Sequence, residues 1–175
     1  SIGLKGKVVE ILSQAAPLYD IGKMGVSEHI LKKSDKLNEK EWEEVRKHAE
    51  IGAGIIGEHK DPLLEQARIM ALTHHERWDG TGYPKKLNGD AIPVPGRIMA
   101  LADAFEAMTS TQRHRSPIST MEAAKIINAE SGKQFDPKVV VAFMKVLKDF
   151  DAVRGKYKDE LEGIHDLDFG PAKKK

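Results

Sequence analysis

Among the side chains of this 175-residue sequence whose types can hold divalent metal ions, five stand out by position: Asp20, His48, His74, His75 and Asp103. Each interrupts or extends an apolar helical pattern. The clearest case is Asp103, which lies within a run from 97 to 108 where Ile98, Met99, Leu101, Ala102, Ala104, Phe105, Ala107 and Met108 leave almost no polar side. A buried charge without a partner costs on the order of several kcal/mol. A divalent cation satisfies carboxylates and imidazoles together, and a donor set of oxygen and nitrogen without sulfur suits iron, manganese, zinc or cobalt. Taken singly, each residue has an ordinary alternative. His48 can be a hydrogen-bonded histidine at the core boundary, and Asp103 a cap or an ion-pair partner. Adjacent residues such as His74 and His75 stand about 100° apart on a helix, so one must reach any shared site from the flank. The coincidence of all five favours a single metal cluster.

The elements that position them are helical. Val8, Ile11, Leu12, Ala15, Leu18 and Tyr19 form a stripe over 7–21 that predicts a helix stopping near Gly22, with Asp20 at its end. Asn38 followed by Glu41 is a capping pattern that opens a second helix, with Trp42, Val45, His48, Ile51 or Gly52, and Ile55 inward. Asp61-Pro62 starts a third, whose stripe Leu64, Ala67, Met70, Ala71 ends in His74 and His75. From Glu76 to Gly96 four glycines and three prolines exclude a regular element, so this is a long loop, and Trp78, Tyr83 and Leu87 predict that it is ordered. Pro95 opens the apolar central helix. Ser119 with Glu122 caps another, and Asp136-Pro137 starts the last, with Val139, Val140, Phe143, Met144 and Leu147 inward. With no repeat and no convincing strand, the expected class is all-α: one compact domain over 1–150, then a C-terminal extension, 151–175, ending in the basic tail Lys173 to Lys175.

Composition narrows the function. Lys and Arg total 28 against 27 for Asp and Glu, so no global field would hold a nucleic-acid polymer or an anionic membrane, and an anionic ligand must be captured locally. The absence of cysteine removes disulfides, iron–sulfur clusters, thiolate zinc sites and thiol nucleophiles, and fits a reducing, cytoplasmic setting. No window has the roughly 20 apolar residues of a membrane span, and the start has no signal-peptide pattern. The expectation is a soluble, cytoplasmic piece that is a fragment of a longer protein.

Four ordered segments carry a resemblance. They are Tyr19-Asp20-Ile21-Gly22-Lys23, Lys47-His48-Ala49-Glu50-Ile51-Gly52, the run from His74-His75-Glu76 through Asp79-Gly80-Thr81 to Gly82-Tyr83-Pro84, and Ala102-Asp103-Ala104-Phe105. The chain resembles the HD-GYP family, and Ser131-Gly132-Lys133-Gln134-Phe135-Asp136-Pro137 adds to the likeness. That resemblance implies a helical bundle of the HD phosphohydrolase type and metal-dependent hydrolysis of cyclic di-GMP to pGpG or GMP in bacterial second-messenger signalling. It makes Asp20 the carboxylate bridging two metal ions, His48, His74 and His75 imidazole ligands, and Asp103 a terminal carboxylate ligand. Iron or manganese is favoured, with zinc, cobalt, nickel and magnesium as alternatives. Lys23 would lie beside the scissile phosphate, giving Asp20 and Lys23 catalytic roles. Gly82, Tyr83 and Pro84 would wall the substrate, with Arg77 and Arg97 on phosphate oxygens or guanine edges. The same loop is a candidate protein-docking surface, and an upstream sensor or receiver domain is the usual companion.

The family's His-Asp pair stands here as Tyr19-Asp20. Phenol, with an ordinary pKa near 10, is a poor ligand unless deprotonated, and Tyr19 continues an apolar stripe. The resemblance also places a further acidic residue and histidine on a helix before Ser1. Two alternatives to hydrolysis of cyclic di-GMP follow: a degenerate domain that binds a cyclic dinucleotide or a partner without turnover, and a phosphohydrolase for another nucleotide, such as a hybrid cyclic dinucleotide.

Overall fold

A computed structural model of the chain describes residues 3–33, 35–111 and 116–149. The expected tail, with the rest of 151–175, lies outside the described residues. Among the described residues eight α-helices follow one another: α1 (Gly6–Ala15), α2 (Glu28–Leu31), α3 (Glu39–Arg46), α4 (His48–Ile56), α5 (Pro62–Thr73), α6 (Val94–Thr109), α7 (Thr120–Ala129) and α8 (137–149). Short 3-10 turns lie at Ala16–Leu18, Ile21–Gly25 and Gly89–Ala91. Among the described residues there is no strand, only an isolated bridge between Ser131 and Phe135. The all-α bundle expected of an HD-type domain is what is found.

Helix α5 is the hub, packing against α1, α4 and α6. One apolar cluster joins α1 and α5 through Leu12, Ala15, Ala67 and Met70. A second joins α6, α7 and α8 through Leu101, Phe105, Ala124, Ile127, Val140 and Phe143. Ile98 of α6 packs against both. The C-terminal end of α5 therefore emerges from the middle of the molecule, and that end carries His74 and His75.

Several expectations are corrected. The first helix stops at Ala15, because Pro17 cannot donate to an i→i−4 ladder, and the chain continues in 3-10 turns. Asp20 thus lies on a turn between two such segments. The second helix divides at Lys47, whose N–H reaches the Glu44 carbonyl in a tightened turn, so the apolar stripe loses its phase there. This leaves Trp42 44% and Ile55 51% exposed. Val8 and Met144, also expected inward, are exposed, since α1 buries only Leu12 and Ala15 and α8 turns Val139, Val140, Phe143 and Leu147 to the core. Both capping boxes form as expected, at Asn38–Glu41 and Ser119–Glu122.

One close approach fixes the register of the turn that carries Asp20. A Cβ on Gly22 would overlap the His48 carbonyl and the Gly52 nitrogen, so only glycine lets the Ile21–Gly25 turn lie against the backbone of α4.

Candidate metal centre

Asp20, His48, His74 and His75 each offer one donor atom, and these four atoms lie within 4.8 Å of one another. Three different elements bring them there: the turn after Leu18, the first residue of α4, and the C-terminal cap of α5 with the residue after it. His48 is 1% and His74 2% exposed, so neither ring is satisfied by water.

Hydrogen bonding decides the orientation of both rings. His74 Nδ1 lies 2.9 Å from the Met70 carbonyl and 3.0 Å from that of Ala71, and His48 Nδ1 meets the Val45 carbonyl. Carbonyls only accept, so each Nδ1 carries the proton, and in a neutral ring Nε2 presents a lone pair. The two Nε2 atoms are 3.2 Å apart, and they stand 3.5 and 3.6 Å from Asp20 Oδ1. Oδ1 is itself buried without a hydrogen-bond partner. With both rings neutral, three electron-pair donors face one another at this point. Donors about 2.1 Å from a tetrahedral ion sit roughly 3.4 Å apart, so the spacing of this trio fits a cation at its centre.

The protonation states agree with that use. Burial pushes the Asp20 carboxyl upward, but the His74 ring and the Lys23 ammonium, hydrogen-bonded to the other carboxylate oxygen, outweigh it and hold the group well below its usual range. Burial lowers His48 and His75; for His75, with His74 and His48 nearby adding to the effect, the value falls to about 2. The result is an ionised Asp20 carboxylate beside neutral His48 and His75 imidazoles, the forms in which these groups bind metal.

Asp103 is not one of the four. Its Oδ1 accepts from the Tyr19 hydroxyl at 2.9 Å, and it shares with His74 and His75 the wall of a cavity of about 480 Å³. Tyr19 lies edge-on to His74, at 5.1 Å between ring centroids. Burial, then the Asp103 charge, raises its phenol well above the ordinary value, so it remains a neutral donor.

The loop after His75 is ordered, as Trp78, Tyr83 and Leu87 predict. Tyr83, in the cis peptide Tyr83-Pro84, stacks on His75 at 4.7 Å and donates its N–H to the His75 carbonyl. Gly82 lines the cavity, and a Cβ there would stand 2.6 Å from both Glu76 Cα and the His75 oxygen. Arg77 also lines it, but its guanidinium is engaged by Thr81, Gln134, Asp79 and Glu130. Arg97, expected at the ligand, is placed elsewhere. Its guanidinium bonds Asp90, Asp136 and the Ile92 carbonyl and stacks on Trp78, with 9% of the side chain exposed, so it braces the loop. Lys23 sits half-exposed beside Asp20.

Residues without an assigned role in the sequence reading complete the site. Glu76 is 2% exposed, and its carboxylate accepts the N–H groups of Lys85 at 2.7 Å and Leu87 at 3.0 Å, stapling the loop back on its start. Arg46, Lys86 and Gln134 line the cavity. For Glu76 the signal was present: a carboxylate at the mouth of a Gly/Pro-rich loop, whose turning backbone needs acceptors. Gln134 could be found only through the fold, since it arrives from the turn between α7 and α8.

The HD domain model matches residues 3–139, most of the chain. The chain belongs to the HD domain family. This HD domain is 42% identical over 159 residues to a cyclic di-GMP phosphodiesterase of Thermotoga maritima, covering 91% of the chain and 43% of that protein. To a cyclic di-GMP phosphodiesterase of Vibrio cholerae it is 43% identical over 156 residues, covering 86% of the chain and 32% of that protein. To 3'3'-cGAMP-specific phosphodiesterase 2 of the same organism it is 37% identical over 157 residues, covering 90% and 30%. The HD domain therefore spans less than half the length of these relatives. A crystal structure of a cyclic GMP-AMP specific phosphodiesterase of V. cholerae superposes with a TM-score of 0.63 at 22% identity, over 94% of this chain and 44% of that one, which is a likeness of fold.

Proposed function

We propose that this HD domain is the catalytic unit of a metal-dependent phosphodiesterase acting on a cyclic dinucleotide, with cyclic di-GMP as the favoured substrate and pGpG or GMP as product. The observation that carries this reading is the trio of Asp20 Oδ1, His48 Nε2 and His74 Nε2, converging within 3.6 Å of one another next to a cavity walled by His74 and His75. The curated relatives carry the names cyclic di-GMP and 3'3'-cGAMP phosphodiesterase, which supports the ligand class.

In this reading Asp20, His48, His74 and His75 hold a divalent ion, iron or manganese by preference. A bound ion would polarise phosphoryl oxygens and lower the pKa of water enough to supply a nucleophile near neutral pH. The chain's own residues do the rest. Backbone carbonyls fix both Nδ1 protons and so aim both Nε2 lone pairs at one point. Lys23 keeps Asp20 ionised and stands where a phosphate oxygen bound at the cluster would arrive. Tyr83, clamped on His75, and Gly82 form the wall against which a base or sugar lies. Asp103 would serve a second ion, with further donors from a segment before Ser1. An upstream sensor or receiver domain, a cytoplasmic setting and a protein partner at the Gly82-Tyr83-Pro84 loop complete the proposal.

One observation favours a second reading, binding without turnover. The Tyr19 hydroxyl occupies the Asp103 carboxylate, which would otherwise serve the second ion. A single assay separates the readings: cyclic di-GMP, 3'3'-cGAMP and a nucleoside monophosphate are each incubated with protein reloaded with iron or manganese. Linear product from a cyclic dinucleotide supports the first reading. Tight binding with no product selects the second, and turnover of the monophosphate alone overturns both.

A further inference from the structure

Lys86 is a non-glycine residue held at φ +53°, in the left-handed region that disfavours a side chain with a Cβ. The cause is on either side of it. The N–H groups of Lys85 and Leu87 both donate to the buried carboxylate of Glu76, and the backbone between them must turn through Lys86 to allow this. The turn separates two neighbouring lysines. Lys85 leaves toward Glu50, with which it pairs at 2.9 Å, whereas Lys86 lines the cavity beside the metal-binding cluster.

Three cationic side chains wall that cavity: Arg46, Arg77 and Lys86. Arg46 pairs with Glu39, and Arg77 with Asp79 and Glu130. Among the described residues Lys86 alone of the three has no carboxylate partner. A cyclic dinucleotide carries two phosphodiester anions, and the cluster around Asp20 takes only one. The second needs an unneutralised cation across the same cavity, on a segment rigid enough to hold it there.

We infer that Lys86 binds the second, non-scissile phosphate of the cyclic dinucleotide, and that Glu76 is the positioning residue that imposes the backbone turn for it. This inference rests on the function proposed above and adds to it the residue that selects a dinucleotide over a single phosphodiester. It also accounts for a lysine where glycine would suit the backbone better.

The test uses the full chain reloaded with manganese and a phosphorothioate analogue of cyclic di-GMP, which keeps both charges and resists hydrolysis. Its Kd is measured by calorimetry at low and at high salt for wild type, Lys86→Gly and Lys86→Arg. Glycine adopts φ +53° freely, so the first variant folds, and its metal content checks that the cluster is intact. Lys86→Gly is expected to weaken binding by about fivefold or more at low salt, the scale of one partly desolvated charge contact. Lys86→Arg should stay near wild type, and the gap should close toward 1 M salt, where the screening length is about 3 Å. Binding by Lys86→Gly within about twofold of wild type, or an arginine variant as weak as the glycine one, overturns the role of Lys86 while the proposed function stands. A wild type that fails to bind the analogue overturns the proposed function, and this inference with it.

Discussion

Replacing Asp20 with asparagine separates two properties of one carboxylate. In the metal-free protein its Oδ1 is buried against two imidazole rings at 3.5 and 3.6 Å, with no hydrogen-bond partner. An amide there can donate to one Nε2 and removes an electrostatic conflict. Asp20→Asn is therefore expected to melt at or above the wild-type temperature without metal, and to lose metal affinity by about 100-fold or more. Melts in excess chelator and metal analysis after dialysis check the two halves. The same cluster predicts an acid-labile apoprotein. Unfolded histidine takes up a proton near pH 6.5, whereas burial keeps His48 neutral to lower pH and His75 neutral down to about 2. Below about pH 6.5 the unfolded state then binds more protons than the folded state, so stability falls as pH falls. The expected slope is on the order of 1 kcal/mol per pH unit. Protonated Asp20 in the unfolded state acts in the same direction below about pH 4. Denaturant titrations of metal-free protein at stepped pH measure this, and a stability flat from pH 7 to 5 would contradict it. Tyr19 makes a milder test: Tyr19→Phe removes one hydrogen bond to Asp103, expected to cost about 1 kcal/mol with metal content at the four-residue cluster unchanged.

At the scale of elements, the site depends on contacts that hold turns against helices. Gly22→Ala places a methyl group on the His48 backbone, so the turn carrying Asp20 must move away from α4. Destabilisation of about 2 kcal/mol or more is expected, together with weaker metal binding, because Asp20 and His48 separate. Calorimetric melts and metal titration would register both. For Glu76→Gln the loop 83–87 should lose its staple, and amide exchange at Lys85 and Leu87 should accelerate while α5 stays protected. Helix positions and caps were legible in the sequence because Asn38, Asp61, Ser119 and Pro95 announce starts that local chemistry enforces. The break at Lys47 was not, since nothing in its residue type interrupts the apolar period. His48, His74 and His75 were legible as polar residues that interrupt or extend apolar stripes, and the fold brings one donor atom of each together with Asp20. Arg97 was misplaced because an arginine near a substrate loop reads the same whether it meets a phosphate or, as here, Asp90 and Asp136.

For the whole molecule, α5 packed among α1, α4 and α6 lets one end of a single helix deliver two histidines to a site completed from two other segments. Metal binding is thereby coupled to the packing of those elements. Saturating metal at about 100 times its Kd should add about 2.7 kcal/mol to stability, visible as a rise in melting temperature that chelator reverses. No helix among the described residues is long and apolar enough to cross a membrane. The chain spans less than half the length of its curated relatives, and the four donor atoms are brought together by residues within it. The most direct test of that centre is anomalous diffraction from crystals of the manganese- or iron-loaded protein, recorded at the metal's absorption edge. The account predicts a peak ligated by Asp20 Oδ1, His48 Nε2 and His74 Nε2, with His75 as the fourth donor. A peak elsewhere in the molecule, with Asp20 still paired to Lys23 and no density between the two histidine rings, would contradict it.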